Sequence, residues 1–165
     1  TTVNKNLDRI FYAIKGLQID IIIIGKINKS QNKFLNKNGI VYKNFINISE
    51  KKLIDCYNQA KVLLFPSLYE GFGLPIVEAQ RMRVPVITSN ISPMKEIVNK
   101  SALLVNPRNV KDIRSKLKKI INNKNLRKNI VSKGYKNSLK FKPSQYINDY
   151  FELYKKLYQE NLKNN

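Results

Sequence analysis

The stretch KVLLFPSLYEGFGLPIVEAQRMRVPVIT, residues 61–88, decides how the rest of the chain is read. Val62, Leu63, Leu64 and Phe65 make a short apolar run that reads as a buried strand and breaks at Pro66-Ser67. A loop follows in which Glu70, Gly71, Phe72 and Gly73 stand together. Pro75 suits the first turn of a helix, where its missing N–H would have had no partner anyway. That helix carries Ile76, Val77 and Glu78 and is expected to end near Arg83, because Pro85 blocks its continuation. Residues 84–88 return as another buried strand. The unit is strand, glycine loop, helix, strand.

Such a unit has a chemistry of its own. A helix start offers unpaired N–H groups and the positive end of a dipole, which together suit a phosphate. Gly71 and Gly73 remove side chains where a ligand would approach the backbone. Glu70 on the loop and Glu78 one turn into the helix repel phosphate, so their natural partners are hydroxyls. A ligand with diphosphate in the middle and polyols at both ends, a nucleotide sugar, uses all of these groups. Spacing alone leaves a plainer reading open, in which Glu78 complements the helix dipole and the glycines only make a turn.

The run PSLYEGFGLPIVEA, from Pro66 to Ala79, resembles the Glu-x7-Glu signature of the family 4 retaining glycosyltransferases, which have the two-domain GT-B architecture. Pro85-Val86-Ile87-Thr88-Ser89 and Glu96-Ile97 resemble the segments that follow in that family, and a weaker likeness runs over nearly all of the chain. The resemblance implies that Glu70 contacts the transferred sugar and takes part in catalysis, and that Glu78 binds the ribose hydroxyls. It gives the donor-binding loop to Gly71, Phe72, Gly73 and Leu74, whose backbone meets the sugar and the diphosphate. The segment from Val3 to Leu7 resembles the start of the family's first helix, which makes Lys5 the group that neutralises the diphosphate; a solvated lysine at a helix start is its plainer reading. Residues 41–46 resemble the strand and loop beneath the nucleobase, with Asn44 or Phe45 where the family often has glycine. Arg83 and Asn99 also stand at common glycine positions. A left-handed backbone at Arg83 would cost about 1 kcal/mol, whereas asparagine tolerates that conformation well.

The implied reaction is transfer of a sugar from a nucleoside diphosphate with retention at the anomeric carbon. Backbone N–H groups and Lys5 would stabilise the leaving diphosphate by preorganised electrostatics, with no metal and no further cofactor. Glu70 and Glu78 do not read as the nucleophile and acid/base pair of a retaining glycosidase, because the phosphate-binding helix start lies between them. The resemblance also makes residues 1–165 a single Rossmann-like donor-binding domain, the C-terminal half of a GT-B enzyme. Two parts of that architecture have no counterpart here: the N-terminal acceptor domain and a central strand before the Lys5 helix. Alone, the chain is expected to bind nucleotide but not to transfer sugar efficiently.

Composition narrows the field. The 165 residues suffice for one domain with a proper core. No uncharged apolar run is long enough to span a membrane, and no signal-peptide pattern is present. Cys56 is the only cysteine, which excludes an intrachain disulfide and a cysteine-rich zinc site; its helical neighbours Leu53, Ile54 and Tyr57 make it a core residue. With no histidine, histidine acid–base catalysis and histidine metal sites are excluded, and no Asp-x-Asp suggests a metal-dependent donor site.

The 31 Lys and Arg outnumber the 11 Asp and Glu, for a net charge of +20. Three explanations compete: a solvated basic face in a chain whose Lys, Asn and Ile codons are AT-rich, attraction to an anionic membrane surface, and nucleic acid. The last ranks lowest, since no nucleic-acid-reading motif occurs and aromatic residues do not interleave with the dense segment 111–142. The expected partners are thus a nucleotide-sugar donor, a glycan or lipid-linked acceptor, and an anionic membrane surface. Location is expected to be cytoplasmic, peripheral on the inner face of the membrane. Small size and basic character favour assembly of cell-surface polysaccharide, lipopolysaccharide or capsule, over glucan synthesis. The competing view is a non-catalytic basic module for nucleic acid or membrane.

Along the chain, Leu7, Ile10, Phe11, Ile14 and Leu17 recur at helical spacing. Residues 20–24, apolar after Asp20, form a short run ending at Gly25, as in a buried parallel strand. A short helix is expected around residues 31–35, a strand over 40–45, and a helix from the N-cap Ser49 to about Ala60. Ser92-Pro93 opens a short helix through Val98, and residues 102–105 form the next strand. From Val110 the pattern is helical, and Pro143-Ser144 starts a last amphipathic helix through Leu157. Strands alternating with helices imply a parallel α/β sheet covered on both faces, with ligands bound beyond the carboxyl ends of the strands.

Overall fold

The computed structural model describes residues 3–141 and Lys155. The helix expected from Pro143 to Leu157 otherwise lies outside the described residues. A 3-10 turn, Val3–Lys5, leads into α1 (Leu7–Ile14). Then come β1 (Ile21–Ile24), α2 (Lys29–Lys37), β2 (Tyr42–Phe45), α3 (Glu50–Gln59) and β3 (Leu63–Phe65). The central unit continues as α4 (Leu74–Arg81) and β4 (Val86–Ser89), followed by α5 (Met94–Val98), β5 (Leu103–Val105), α6 (Val110–Asn122) and α7 (Lys124–Ser138). Strand and helix alternate as expected, and all pairing is parallel.

The strands form two sheets, β1-β2 and β3-β4-β5. In register, Ile21 faces Tyr42, Leu63 faces Val86, and Ile87 faces Leu103. A doubly wound sheet in the order 3-2-1-4-5-6 splits into these two groups where its first strand is taken out of the middle. No strand precedes α1 among the described residues, so the place between β1 and β3 is the one that order leaves open.

Period-two alternation sends neighbouring strand residues to opposite faces. Leu64, Ile87, Leu103 and Val105 join a core with Phe11, Ala13 and Ile14 of α1 and Ile113, Leu117 and Ile120 of α6. Leu63, Phe65, Val86 and Leu104 join the other core, with Ile76 and Ala79 of α4 and Met94, Ile97 and Val98 of α5. β4 is buried along its whole length, as a central strand covered on both faces must be.

Helix ends fall where local backbone dictates. α1 stops at Ile14, short of Leu17, because the chain turns at Gly16 with φ 71°. α4 ends two residues before the expected Arg83, and Arg83 itself is left-handed at φ 58°. Its guanidinium lies 4.0 Å from the Tyr135 ring centroid, a contact of the size that offsets such a backbone cost. Asn99 is left-handed too, at φ 39°. Ser49 caps α3 by accepting from the Lys52 N–H. α2 is longer than expected because Asn28 and Gln31 form a reciprocal capping box.

Candidate functional site

β3 delivers the loop 66–73 to the carboxyl edge of its sheet, and hydrogen bonds from side chains and backbone fasten that loop. Asn6 donates from Nδ2 to the Pro66 carbonyl at 2.8 Å and to the Pro107 carbonyl at 2.7 Å. Both N–H bonds of one amide are thereby used to join three segments. Asn6 is buried and left-handed, a conformation asparagine adopts readily. The Leu68 N–H donates to the Asn4 carbonyl at 2.8 Å. From β4, Thr88 Oγ1 donates to the Phe65 carbonyl and Ser89 Oγ to the Ser67 carbonyl.

Lys5 stands between the two asparagines that make these ties, and its place follows from them. Its Nζ lies 2.8 and 3.1 Å from the two carboxylate oxygens of Glu70, and 4.9 Å from the Phe65 ring centroid. The family resemblance gives Lys5 to a phosphate and Glu70 to a sugar; in the structure the two side chains hold each other. The Glu70 side chain is 13% exposed and that of Lys5 39%.

Gly73 is the N-cap of α4, at φ 107° and ψ 41°, with Pro75 in the first turn and no side chain capping the helix. A Cβ on Gly73 would be strained by the left-handed backbone and would lie 3.2 Å from Ile76 Cδ1, a contact that Ile76 would have to ease by shifting slightly. Gly71 differs: a Cβ there would meet nothing within 4 Å. Leu74 is exposed, and Phe72 meets Phe141 edge-on with ring centroids 5.9 Å apart. Gly71, Phe72, Gly73 and Leu74 thus form the loop and helix start, next to the Lys5–Glu70 pair.

Glu78 lies on the second turn of α4 and has a partner of its own. The Tyr57 hydroxyl, on α3, donates to Glu78 Oε2 at 2.9 Å. Tyr57 is buried, and burial first, then the Glu78 charge and hydrogen bond, holds its hydroxyl well above the ordinary tyrosine range.

A protein-family model, "Glycosyl transferases group 1", matches residues 2–137. The chain belongs to this family. The serotype-specific mannosyltransferase WbdA of Escherichia coli is 29% identical over 130 residues, which are 79% of this chain and 15% of that protein. The capsular polysaccharide biosynthesis glycosyltransferase CapM of Staphylococcus aureus is 34% identical over 132 residues, 74% of this chain and 33% of that protein. Sucrose-phosphate synthase of Thermosynechococcus elongatus superposes with a TM-score of 0.86 at 18% identity, over 96% of this chain and 44% of that one. This group 1 glycosyl transferase chain therefore spans less than half the length of each of these proteins, and the last likeness is one of fold.

Two residues that hold this candidate site together have no signal in the sequence pattern. Asn6 was part of a recognised segment, but its bonds reach residues 60 and 101 positions away. Tyr57 reads as a core residue by helical spacing. Its one legible signal is that a buried tyrosine hydroxyl needs a partner, which periodicity does not supply.

Proposed function

We propose that this chain carries the donor site of a retaining glycosyltransferase of the hexosyltransferase type, which moves a sugar from a nucleoside diphosphate to a glycan or lipid-linked acceptor. The observation that carries the reading is the Lys5–Glu70 pair beside the glycine-capped start of α4. An ammonium, a helix N-terminus and a carboxylate on one loop suit a ligand with an anionic centre and a hydroxylated end. Glu70 orients the transferred sugar through its hydroxyls. The first turn of α4 and Lys5 take up the charge that grows on the leaving diphosphate, so no metal is assigned to the step. Glu78 receives the ribose hydroxyls. The acceptor side belongs to a second domain, and without it transfer by this chain is expected to be slow.

CapM's place in capsular polysaccharide biosynthesis supports a role in cell-surface polysaccharide assembly. Among the described residues no helix is long and apolar enough to cross a membrane. The net charge of +20 is what supports a peripheral contact with an anionic inner membrane face near a lipid-linked acceptor. A non-catalytic basic module finds no support in the relatives.

Calorimetric titration of UDP, GDP and ADP into the chain, with Glu78→Ala beside it, tests the reading. Saturable binding of one nucleotide, weakened about tenfold or more by the substitution, is the expected result. Equal affinity in both proteins would remove Glu78 from the site, and no binding of any nucleotide would remove the donor site itself.

A further inference from the structure

The proposed ribose contact needs a carboxylate that points one way, and a glutamate on an open helix start has three free torsions. What holds Glu78 comes from outside its helix. Tyr57 reaches across from α3, is 8% exposed, and packs its ring in the same core as Ile76 and Ala79 of α4. Its hydroxyl donates to Glu78 Oε2 at 2.9 Å, while Oε1 has no protein partner among the described residues. We propose that Tyr57 is the positioning residue of the donor site, holding one oxygen of Glu78 so that the other is presented to the vicinal hydroxyls of the nucleotide's ribose. The inference rests on the reading of Glu78 as the ribose carboxylate.

The chemistry favours a tyrosine for this task. A phenol is a single, stiffly mounted donor, and burial keeps its proton in place at any pH at which the protein works. A carboxylate that already accepts one charge-assisted bond is fixed in direction yet keeps its negative charge for a second donor. The same ring without its hydroxyl would fill the core equally well and leave Glu78 to turn.

Tyr57→Phe keeps the ring, so a comparison of ligands separates positioning from folding. The preferred nucleoside diphosphate and its 2′,3′-dideoxy analogue are titrated into the wild type, Tyr57→Phe and Glu78→Gln. Wild type is expected to prefer the ribonucleotide by about tenfold, a hydrogen bond to a charged group. Tyr57→Phe should shrink that preference by about threefold or more and leave the affinity for the dideoxy analogue unchanged; Glu78→Gln should nearly abolish it. Equal weakening of both ligands by Tyr57→Phe would mean a merely structural tyrosine and would overturn the proposal. So would an unchanged preference in Tyr57→Phe alongside its loss in Glu78→Gln. If Glu78→Gln also keeps the preference, or if the wild type has none, the ribose reading of Glu78 fails first and the role of Tyr57 falls with it.

Discussion

An ammonium and a carboxylate that meet at 2.8 Å must part, or share a newcomer, before either can serve a donor. Lys5 and Glu70 lie 65 positions apart in sequence, so nothing in local pattern announces the pair, although each was singled out for a ligand. Because both are partly exposed, the pair is worth about 0.2–1 kcal/mol. Glu70→Gln frees Lys5 and removes a charge that repels phosphate. The variant should therefore bind the sugar-free nucleoside diphosphate about two- to fivefold more tightly while losing transfer in the complete enzyme. Weaker binding of the bare nucleotide, measured by the same calorimetry, would mean that Glu70 supports the phosphate site rather than opposing it. Tyr57 gives a second prediction at this scale. Its phenol ionises near pH 10 in the unfolded chain and well above that in the fold. Above pH 10 the unfolded state therefore holds fewer protons than the native one, so stability falls as pH rises and is unaffected below. Relative to Tyr57→Phe, the wild type should lose about 1.4 kcal/mol per pH unit above pH 10 in urea titrations. Parallel curves for the two proteins would show that the hydroxyl is not buried against Glu78.

At the scale of elements, the two glycines of the loop before Pro75 differ in what they are for. Gly73 is held at φ 107° against Ile76, so Gly73→Ala should destabilise the fold by about 1–3 kcal/mol in denaturant melts. Gly71 has a clear space around it, and Gly71→Ala should change stability by less than about 0.5 kcal/mol. If the loop receives a donor, the second variant should nonetheless weaken nucleotide binding, and a neutral effect on both would leave Gly71 an ordinary turn residue. The elements themselves were legible to different degrees. Buried strands such as β4 announce themselves as apolar runs between proline and glycine breaks. Helix ends did not, because they depend on Gly16 turning early and on Arg83 adopting a conformation that glycine would normally supply. That β1-β2 and β3-β4-β5 form separate sheets could be expected only through family likeness. Of the candidate site, the loop and both glutamates could be singled out through the family resemblance of the Glu-x7-Glu run, since spacing alone leaves a plainer reading open. The bonds that orient them were not, since Asn6 and Tyr57 act across segments that fold together only in three dimensions.

Over the whole molecule, charge and core are arranged so that one does not disturb the other. α6 turns Ile113, Leu117 and Ile120 inward, while Lys118 and Lys119 are exposed, as are Lys124 and Lys128 on α7. With 31 basic and 11 acidic residues, few carboxylates are at hand to neutralise such a surface. A lysine near an anionic bilayer contributes about 1 kcal/mol of attraction, and that attraction decays within a Debye length of about 10 Å at 0.1 M salt. Vesicles containing about one-third phosphatidylserine should therefore bind the chain at 50 mM salt and release it by 300 mM, whereas neutral vesicles should not bind it at either. Replacing Lys118, Lys119, Lys124 and Lys128 by glutamine should weaken vesicle binding by about tenfold or more without moving nucleotide affinity, because all four lie on helices outside the proposed donor loop. Binding that persists in high salt, or that the four substitutions leave unchanged, would separate the charge from any membrane. The basic surface would then be a property of composition, and the charge would carry no argument for an anionic surface as partner.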